Sequence, residues 1–440
     1  MNVKDVIEVE IVSSGMDGEG IARVDGKVVF IPYTLKGERV RAVVKTVKKN
    51  FCTASVIKVL YPSEHRRTPE CPHYYKCGGC DTMHLDDGYR TQMLKDELEN
   101  NLAKIANIAA PDIRFVESET PHRNKIAMPF GVKDGKIILG MYAQNSHSLV
   151  PVGGCILPDA LAASVIFAVA EFVNERKLSV YNESTGNGLL RHLVVRRAGE
   201  RAQVTLVVNG ERFEGENELY GRLPSRCDLF VSPNTRKNNV ILGDSVRLVG
   251  GNDRLPVEVL GVKTELSPLS FFQVNDFMRD KLYADALAHV DGDKLIDLYS
   301  GIGITSNLAA RKGARVTAVE CVPQAVADAD RTAEINGNEN SITNICGEVR
   351  DVLPRIARGN ENADVLVDPP RKGCGSEVMR AIAELSPRKL VYISCNHATM
   401  CRDIRAFLDA ADGYELCDIG LYDMFCNTHH VETLLCLKRK

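Results

Sequence analysis

Apolar and polar positions alternate through the first sixty residues. Val6–Val12 alternates in part, Gly15, Gly18, Gly20 and Gly26 punctuate the chain, and Lys27–Ile31 resumes an apolar run. Period-two segments broken by glycine predict short strands and turns. Five such strands within residues 1–61 fit a small β-barrel of the OB type. Met93, Leu94, Leu98, Leu102 and Ile105 recur at helical spacing and predict a helix over 91–106. From 110 to 265 strands dominate, Gln203–Val208 among them, around one helix at 160–177. Beyond about 270, strand and helix patterns alternate, as in a parallel sheet with helical crossovers. The expected fold is therefore multidomain: an OB-like β-barrel at 1–61, a central mainly β domain at 62–268, and a C-terminal α/β Rossmann-like domain at 269–440. The helix at 91–106 is free to pack on the last of these.

Composition narrows the class. A chain of 440 residues is too long for one small domain. Its longest apolar run, Ala160–Val173, is too short to span a membrane and reads as a buried helix. Met1–Asp5 lacks the apolar core of a signal peptide, so a cytoplasmic, monomeric protein is expected. In that setting 14 cysteines point to thiols and metal ligation, not disulfides. The net charge of −3 argues mildly against a nucleic-acid partner. Local fields matter more than the sum. Basic residues crowd two places, Lys36, Arg39, Arg41, Lys45, Lys48 and Lys49, then Arg191, Arg196, Arg197 and Arg201.

A cofactor crevice is legible near residue 300. The apolar strand Lys294–Tyr299 runs into Ser300-Gly301-Ile302-Gly303 and a helix from Thr305. The next strand ends at Glu320, placed to accept hydrogen bonds from ribose hydroxyls. Dinucleotides usually need a third glycine for the pyrophosphate, and Thr305 and Ser306 stand there instead. S-adenosylmethionine has no phosphates and fits better. Asp368, in Asp368-Pro369-Pro370-Arg371-Lys372-Gly373, ends the fourth strand and is expected to face the crevice.

Two further groups carry candidate chemistry. Leu390–Ile393 is a fifth strand, which puts Cys395 on the loop beyond its C-terminal end, where open α/β sheets build sites. Most intracellular cysteines are inert and buried, and Cys321, Cys346, Cys374, Cys401, Cys417, Cys426 and Cys436 are assigned so. A thiol in Cys395's position, with a carboxylate such as Glu432 for a base, suits covalent catalysis. His429 and His430 precede that Glu; adjacent residues on a strand face opposite ways, which speaks against a metal there. Separately, Cys71, Cys77 and Cys80 form a compact ligand loop, with Cys155 as a distant fourth. Three clustered thiolates and one remote thiolate suit a [4Fe–4S] cluster, with zinc the alternative.

The ordered set Ser267-Pro268 to Asn275, Asp297-Leu298-Tyr299-Ser300-Gly301-Ile302-Gly303, Asp-Pro-Pro-Arg-Lys-Gly, Ser394-Cys395-Asn396 and His429-His430-Val431-Glu432 resembles the RNA uracil-5-methyltransferase family, its bacterial 23S rRNA branch above all. The N-terminal segment resembles the TRAM domain. The resemblance implies methyl transfer from S-adenosylmethionine to carbon 5 of a uridine in 23S rRNA, with Cys395 adding to carbon 6 and Glu432 taking the carbon-5 proton. The T-loop uridine of tRNA is the alternative target. It further implies Gln273, Tyr299, Glu320, Glu348 and Asp368 as cofactor contacts, and Cys71, Cys77, Cys80 and Cys155 as ligands of a [4Fe–4S] cluster. Arg123, Asn124, Lys125, Arg191 and Phe271 would face RNA, in segments that include Pro121 and His122. Ile304 departs from relatives with asparagine there. A non-catalytic RNA-binding protein would not need Cys395, Glu432 and Asp368 together, and a cluster-bearing DNA-repair protein would leave the uracil chemistry unexplained.

Overall fold

The computed structural model describes residues 1–15, 18–109, 112–118, 123–144 and 146–440. Pro121 and His122 fall outside them. Six strands, not five, form the N-terminal sheet, because Ser13–Ser14 adds a short rung opposite Gly20 and Ile21. Its core is built from alternate positions, including Ile11, Ala22, Val29, Ile31, Val40 and Ala42. Glu38, fully buried, ties this sheet to the next segment: it accepts from Arg66 Nε at 2.6 Å and from the Leu35 amide at 2.9 Å. Breaking such a buried pair by removing one partner costs about 3–5 kcal/mol.

The central sheet has seven strands, from Lys125–Lys133 to Arg247–Gly250. The helix Ala160–Glu175 covers one face. Asp159 caps it by accepting from the Ala162 amide at 2.8 Å, and Val165, Val169, Phe172 and Val173 form its buried stripe. That spacing is one face of a 3.6-residue period.

The C-terminal sheet has eight strands. Five are parallel, in the spatial order Ile342–Cys346, Arg315–Glu320, Lys294–Leu298, Asp364–Val367 and Lys389–Ser394. Glu432–Arg439 then pairs antiparallel with Lys389–Ser394, and Tyr414–Tyr422 lies beyond it. The chain winds outward from Lys294–Leu298 in one direction, then crosses to the other side at Asp364–Val367. That reversal opens a crevice at the strands' C-terminal ends.

Two segments cross the expected domain limits. The helix begins at Asp87, because Asp86 caps it by accepting from the Tyr89 amide at 2.7 Å, and it ends in a π turn at Leu102–Ala106. Its Leu94, Leu98 and Leu102 lie in the same core as Ile404 and Phe407 of the C-terminal unit. Arg114–Val116 pairs parallel with Tyr414–Tyr422 at the edge of the eight-stranded sheet. Residues 87–106 and 114–116 thus belong structurally to the C-terminal unit. The hairpin Leu255–Val259 and Val262–Leu266 packs on Phe272, Ile302 and Ile304 of that unit. Among the described residues no helix is long and apolar enough to cross a membrane.

Candidate active site

The crevice is floored by carboxylates. Asp297, buried in the Lys294–Leu298 strand, accepts from Thr305 Oγ1 at 2.7 Å and Ser306 Oγ at 2.6 Å through one oxygen. Its other oxygen has no hydrogen-bond partner. Burial pushes its pKa up to about 6. Asp368 follows the adjacent strand and is pushed up to about 7, first by burial and then by Asp297. Asp297 was given no separate role by sequence reasoning, although an acid inside an otherwise apolar strand was visible. Two buried carboxylates, Asp297 raised by burial and Asp368 by burial and by Asp297, are a receptor for a cation. They suit the positively charged sulfonium of S-adenosylmethionine.

The rest of the pocket fits that ligand too. Glu320 accepts from the Gly301 amide at 3.1 Å and the Val322 amide at 2.9 Å, one on each oxygen, and each oxygen keeps a lone pair for a ribose hydroxyl. Gly301 has φ of 55°, and a side chain there would project into open space, so the backbone itself walls the crevice. Tyr299 adopts left-handed backbone, φ 62°, to turn out of the strand. Gln273 is buried and Glu348 is exposed at the start of the Val349–Ile356 helix.

Cys395 and Glu432 meet by topology. Ser394 pairs with Thr433 across antiparallel strands, so the residues on either side of that pair, Cys395 and Glu432, share one sheet end. Cys395 is half-buried and directly precedes Asn396, whose side chain accepts from the Ala398 and Thr399 amides and caps the His397–Leu408 helix. A helix N-terminus favours a thiolate. Arg371 does so more directly, by its positive charge. Against both, burial and then the charge of Glu432 push the thiol up to about 11. Glu432 is buried, one of its oxygens is unpartnered, and its carboxyl is held well above the usual range, first by burial and then by Asp368. Arg371 opposes that rise as well.

Arg371 is a site residue that the sequence reading quoted without a role. Its loop is fixed from below. Asp403, buried, accepts from the Cys374 amide at 2.6 Å and the Tyr392 hydroxyl at 2.7 Å. Gly373 has φ of 77°, and any side chain there would come within 2.4 Å of Asp403. Arg371→Gln removes a cation that lowers both Cys395 and Glu432. We expect kcat/KM at pH 7 to fall about 10²-fold, the scale of losing one preorganised electrostatic group. The rising limb of the pH–rate profile should move to higher pH, since both groups must ionise to act and both would lose a stabilising charge. A profile with an unmoved limb would rule out this role.

The four predicted ligand cysteines line one cavity of about 760 Å³. Burial pushes Cys80 up to about 12 and raises Cys77 and Cys155, while Arg123 opposes the rise at Cys80 and Cys155. The Gly79 amide donates to Cys77 Sγ at 3.3 Å. His73 Nε2 bonds to Gly153 O at 2.8 Å and joins the Cys71–Cys80 loop to the Cys155 turn. Thiols this desolvated need cations to ionise, and a metal centre supplies them.

Several expectations require correction. Asn124 and Arg191 are buried. Asn124 donates to Gln273 O at 2.9 Å and to Asp276 Oδ1 at 2.8 Å, and Arg191 donates to Asn234 O and Arg236 O, each at 2.7 Å. The Asn124 amide and Arg191 Nη1 are thus used inside the protein. Arg196 is also buried and bonds to Ser267 O and Ser270 O. Arg197 pairs with Asp159 and Asp276, and Arg201 with Asp228, so these two of the second basic group are paired with carboxylates inside the protein. Together Asn124 and Arg196 clamp the connector that presents Phe271, 71% exposed, beside buried Gln273. Arg123 and Lys125 are partly buried, and desolvation lowers Lys125 to about 8. His429 and His430 precede the strand instead of lying on it, and their rings meet at a tilt of 48° with centroids 4.0 Å apart. Cys321, Cys346 and Cys417 are exposed, not buried thiols.

An α/β sheet with a sulfonium-suited crevice, opening onto a paired thiol and carboxylate, defines a methyltransferase. Comparison with known proteins agrees. Residues 353–440 match the family described as tRNA (Uracil-5-)-methyltransferase, and residues 2–57 match the TRAM domain. The chain is 36% identical to an uncharacterized RNA methyltransferase of Caldanaerobacter subterraneus subsp. tengcongensis, covering 100% of this chain and 99% of that protein. It is 34% identical to one of Halalkalibacterium halodurans, covering 100% and 98%. The crystal structure of Pyrococcus abyssi tRNA (uracil-54, C5)-methyltransferase in complex with S-adenosyl-L-homocysteine superposes with a TM-score of 0.79 at 25% identity, covering 98% of this chain and 99% of that one. The chain belongs to the family of RNA uracil-5-methyltransferases with a TRAM domain, and is an S-adenosylmethionine-dependent enzyme.

Proposed function

We propose that the enzyme methylates carbon 5 of a uridine in 23S rRNA through a covalent bond from Cys395 to carbon 6. The observation that carries the mechanism is the juxtaposition of Cys395 with the buried Glu432, one of whose oxygens is unpartnered, across one strand pair. Carbon 5 of uracil is too weak a nucleophile to react unaided, and thiolate addition at carbon 6 makes it an enolate carbon. S-adenosylmethionine supplies an electrophilic methyl group. Asp297, Asp368, Glu320 and Gln273 would hold it, with Tyr299 at the turn and Glu348 at the mouth. Glu432 then takes the carbon-5 proton, and its raised pKa makes it the stronger base for that step. A target uridine must leave its stack to reach this site. Exposed Phe271 is placed to fill the gap, with Arg123, Lys125 and the exposed Lys36, Lys45, Lys48 and Lys49 offering charge to the backbone.

The TRAM domain beside a four-cysteine pocket supports the rRNA target. The likeness to the Pyrococcus abyssi enzyme, named for uracil 54 of tRNA, favours tRNA as the second reading. Mapping 5-methyluridine in 23S rRNA and tRNA from a deletion strain tests the choice. Loss of a single rRNA site supports the first reading, and loss of the tRNA mark replaces it.

The pocket is proposed to hold a [4Fe–4S] cluster on Cys71, Cys77, Cys80 and Cys155. Its loop also touches catalysis. The Asp81 and Thr82 amides donate to Asn427 O at 3.0 and 3.1 Å, and Asp81 accepts from the His429 amide at 2.9 Å. Those contacts hold the turn that leads into Glu432. Cys80→Ser should lose about four irons per chain and the brown colour, and should lower kcat through slackened Glu432. S-adenosylmethionine affinity should survive, since none of its proposed contacts lies on that loop. One zinc and no iron in anaerobically purified protein would refute the cluster.

A further inference from the structure

A second group of metal-type ligands lies away from both sites. His289, Cys417 and Cys436 bring one ligand atom each within 4.8 Å of one another, and among the described residues no other set of three such side chains does so. The three come from different elements. His289 ends the Asp276–Ala288 helix, Cys417 lies on Tyr414–Tyr422, and Cys436 lies on Glu432–Arg439.

The local backbone is shaped for this meeting. Register along Tyr414–Tyr422 slips between Leu416 and Asp418, so Cys417 is the extra, unpaired residue of a bulge. A bulge re-aims the side chain it carries and is common beside functional sites. Here Cys417 Sγ reaches Cys436 O at 3.4 Å, and Asp418 takes the ladder position opposite Cys436. Cys436 itself is buried, whereas Cys417 is exposed, which gives the group one open side.

His289 is already oriented in the manner of a metal ligand. Its Nε2 bonds to Asp418 Oδ2 at 2.8 Å, and Arg114 holds the same carboxylate oxygen at 3.0 Å. With Nε2 carrying the proton, Nδ1 keeps its lone pair. A carboxylate on the far nitrogen is the usual outer support of a ligating histidine. Two thiolates and an imidazole select a soft or borderline cation, and two thiolate charges balance a divalent one.

We propose that Cys417, Cys436 and His289 Nδ1 form a Zn²⁺ site, with the open fourth position taken by water. A tetrahedral ion with Zn–S of about 2.3 Å needs its sulfurs about 3.8 Å apart, and the ligand atoms lie within 4.8 Å of one another. Binding displaces the two thiol protons to solvent and involves no change of oxidation state. The ion would pin the last hairpin to the helix that follows the Phe271 connector.

The test uses the full-length protein with its iron content intact, reduced and handled without oxygen, and free Zn²⁺ in competition with a chromophoric chelator. Wild type should bind one more equivalent than Cys417→Ser, a variant on the surface that should fold normally. Iron content should be equal in the two, which separates this site from the Cys71–Cys155 pocket. Co²⁺ in place of Zn²⁺ should give a thiolate-to-metal band that Cys417→Ser loses. His289→Gln should keep that band and weaken Zn²⁺ binding at least tenfold. Equal Zn²⁺ uptake by wild type and Cys417→Ser, or a reduced wild type that takes up none, would overturn the site. Unchanged affinity in His289→Gln would remove the histidine from it.

Discussion

Cys395→Ala should lower turnover at least about 10³-fold, as expected when a covalent nucleophile is removed. Binding of S-adenosylmethionine should be nearly unchanged, because its proposed contacts at Asp297, Glu320 and Asp368 lie on other strands. The same mechanism predicts a stable covalent complex between wild type and target RNA carrying 5-fluorouridine. Fluorine cannot leave as a proton, so Glu432 has nothing to remove and Cys395 stays bound. The thiol is pushed up to about 11 in the free enzyme, so the thiolate fraction at neutral pH is small. Adduct formation should therefore accelerate as pH rises from 7 to 9. A denaturing gel with labelled RNA reads all of this. A fully active alanine variant, or no adduct on a verified substrate, would end the nucleophile assignment.

The parts of this architecture that were legible in the sequence are those written in local pattern. The glycine-broken alternation of the first sixty residues and the strand–turn–helix at Lys294–Ala310 are short-range signals. The motif set that carries the family resemblance is likewise read segment by segment. Contacts between distant segments were not legible. Nothing local tells that Asn124 and Arg196 serve the 267–276 connector, because their partners lie more than 70 positions away. A basic residue on a strand looks the same in sequence whether it faces solvent or a buried carbonyl. The helix from Asp87 was readable as a helix, yet its docking depends on Leu94 and Leu98 meeting Ile404 and Phe407. Arg371 and Asp297 stood inside recognised motifs and acquired roles only through geometry. The tie between Asp81 and His429 links segments 348 positions apart. It ties the cysteine loop to the turn that leads into Glu432, a contact no local pattern shows.

Glu432→Gln separates the two halves of the reaction. Glutamine keeps the shape of the side chain and cannot accept the carbon-5 proton. Addition of Cys395 and methyl transfer should proceed, and elimination should slow by about 10²-fold or more, the range for losing a positioned general base. Protein covalently bound to methylated RNA should then accumulate without any fluorinated analogue. The pH behaviour follows from the same residue. Burial and Asp368 hold the Glu432 carboxyl above its ordinary range, so it is protonated where a surface glutamate would be ionised. Release by the wild type should rise with pH through that raised value, while the glutamine variant should show no such limb. Substituting Asp368 by Asn removes a neighbouring negative charge and should move the wild-type limb to lower pH. Product release by Glu432→Gln at the wild-type rate would show that another group takes the proton.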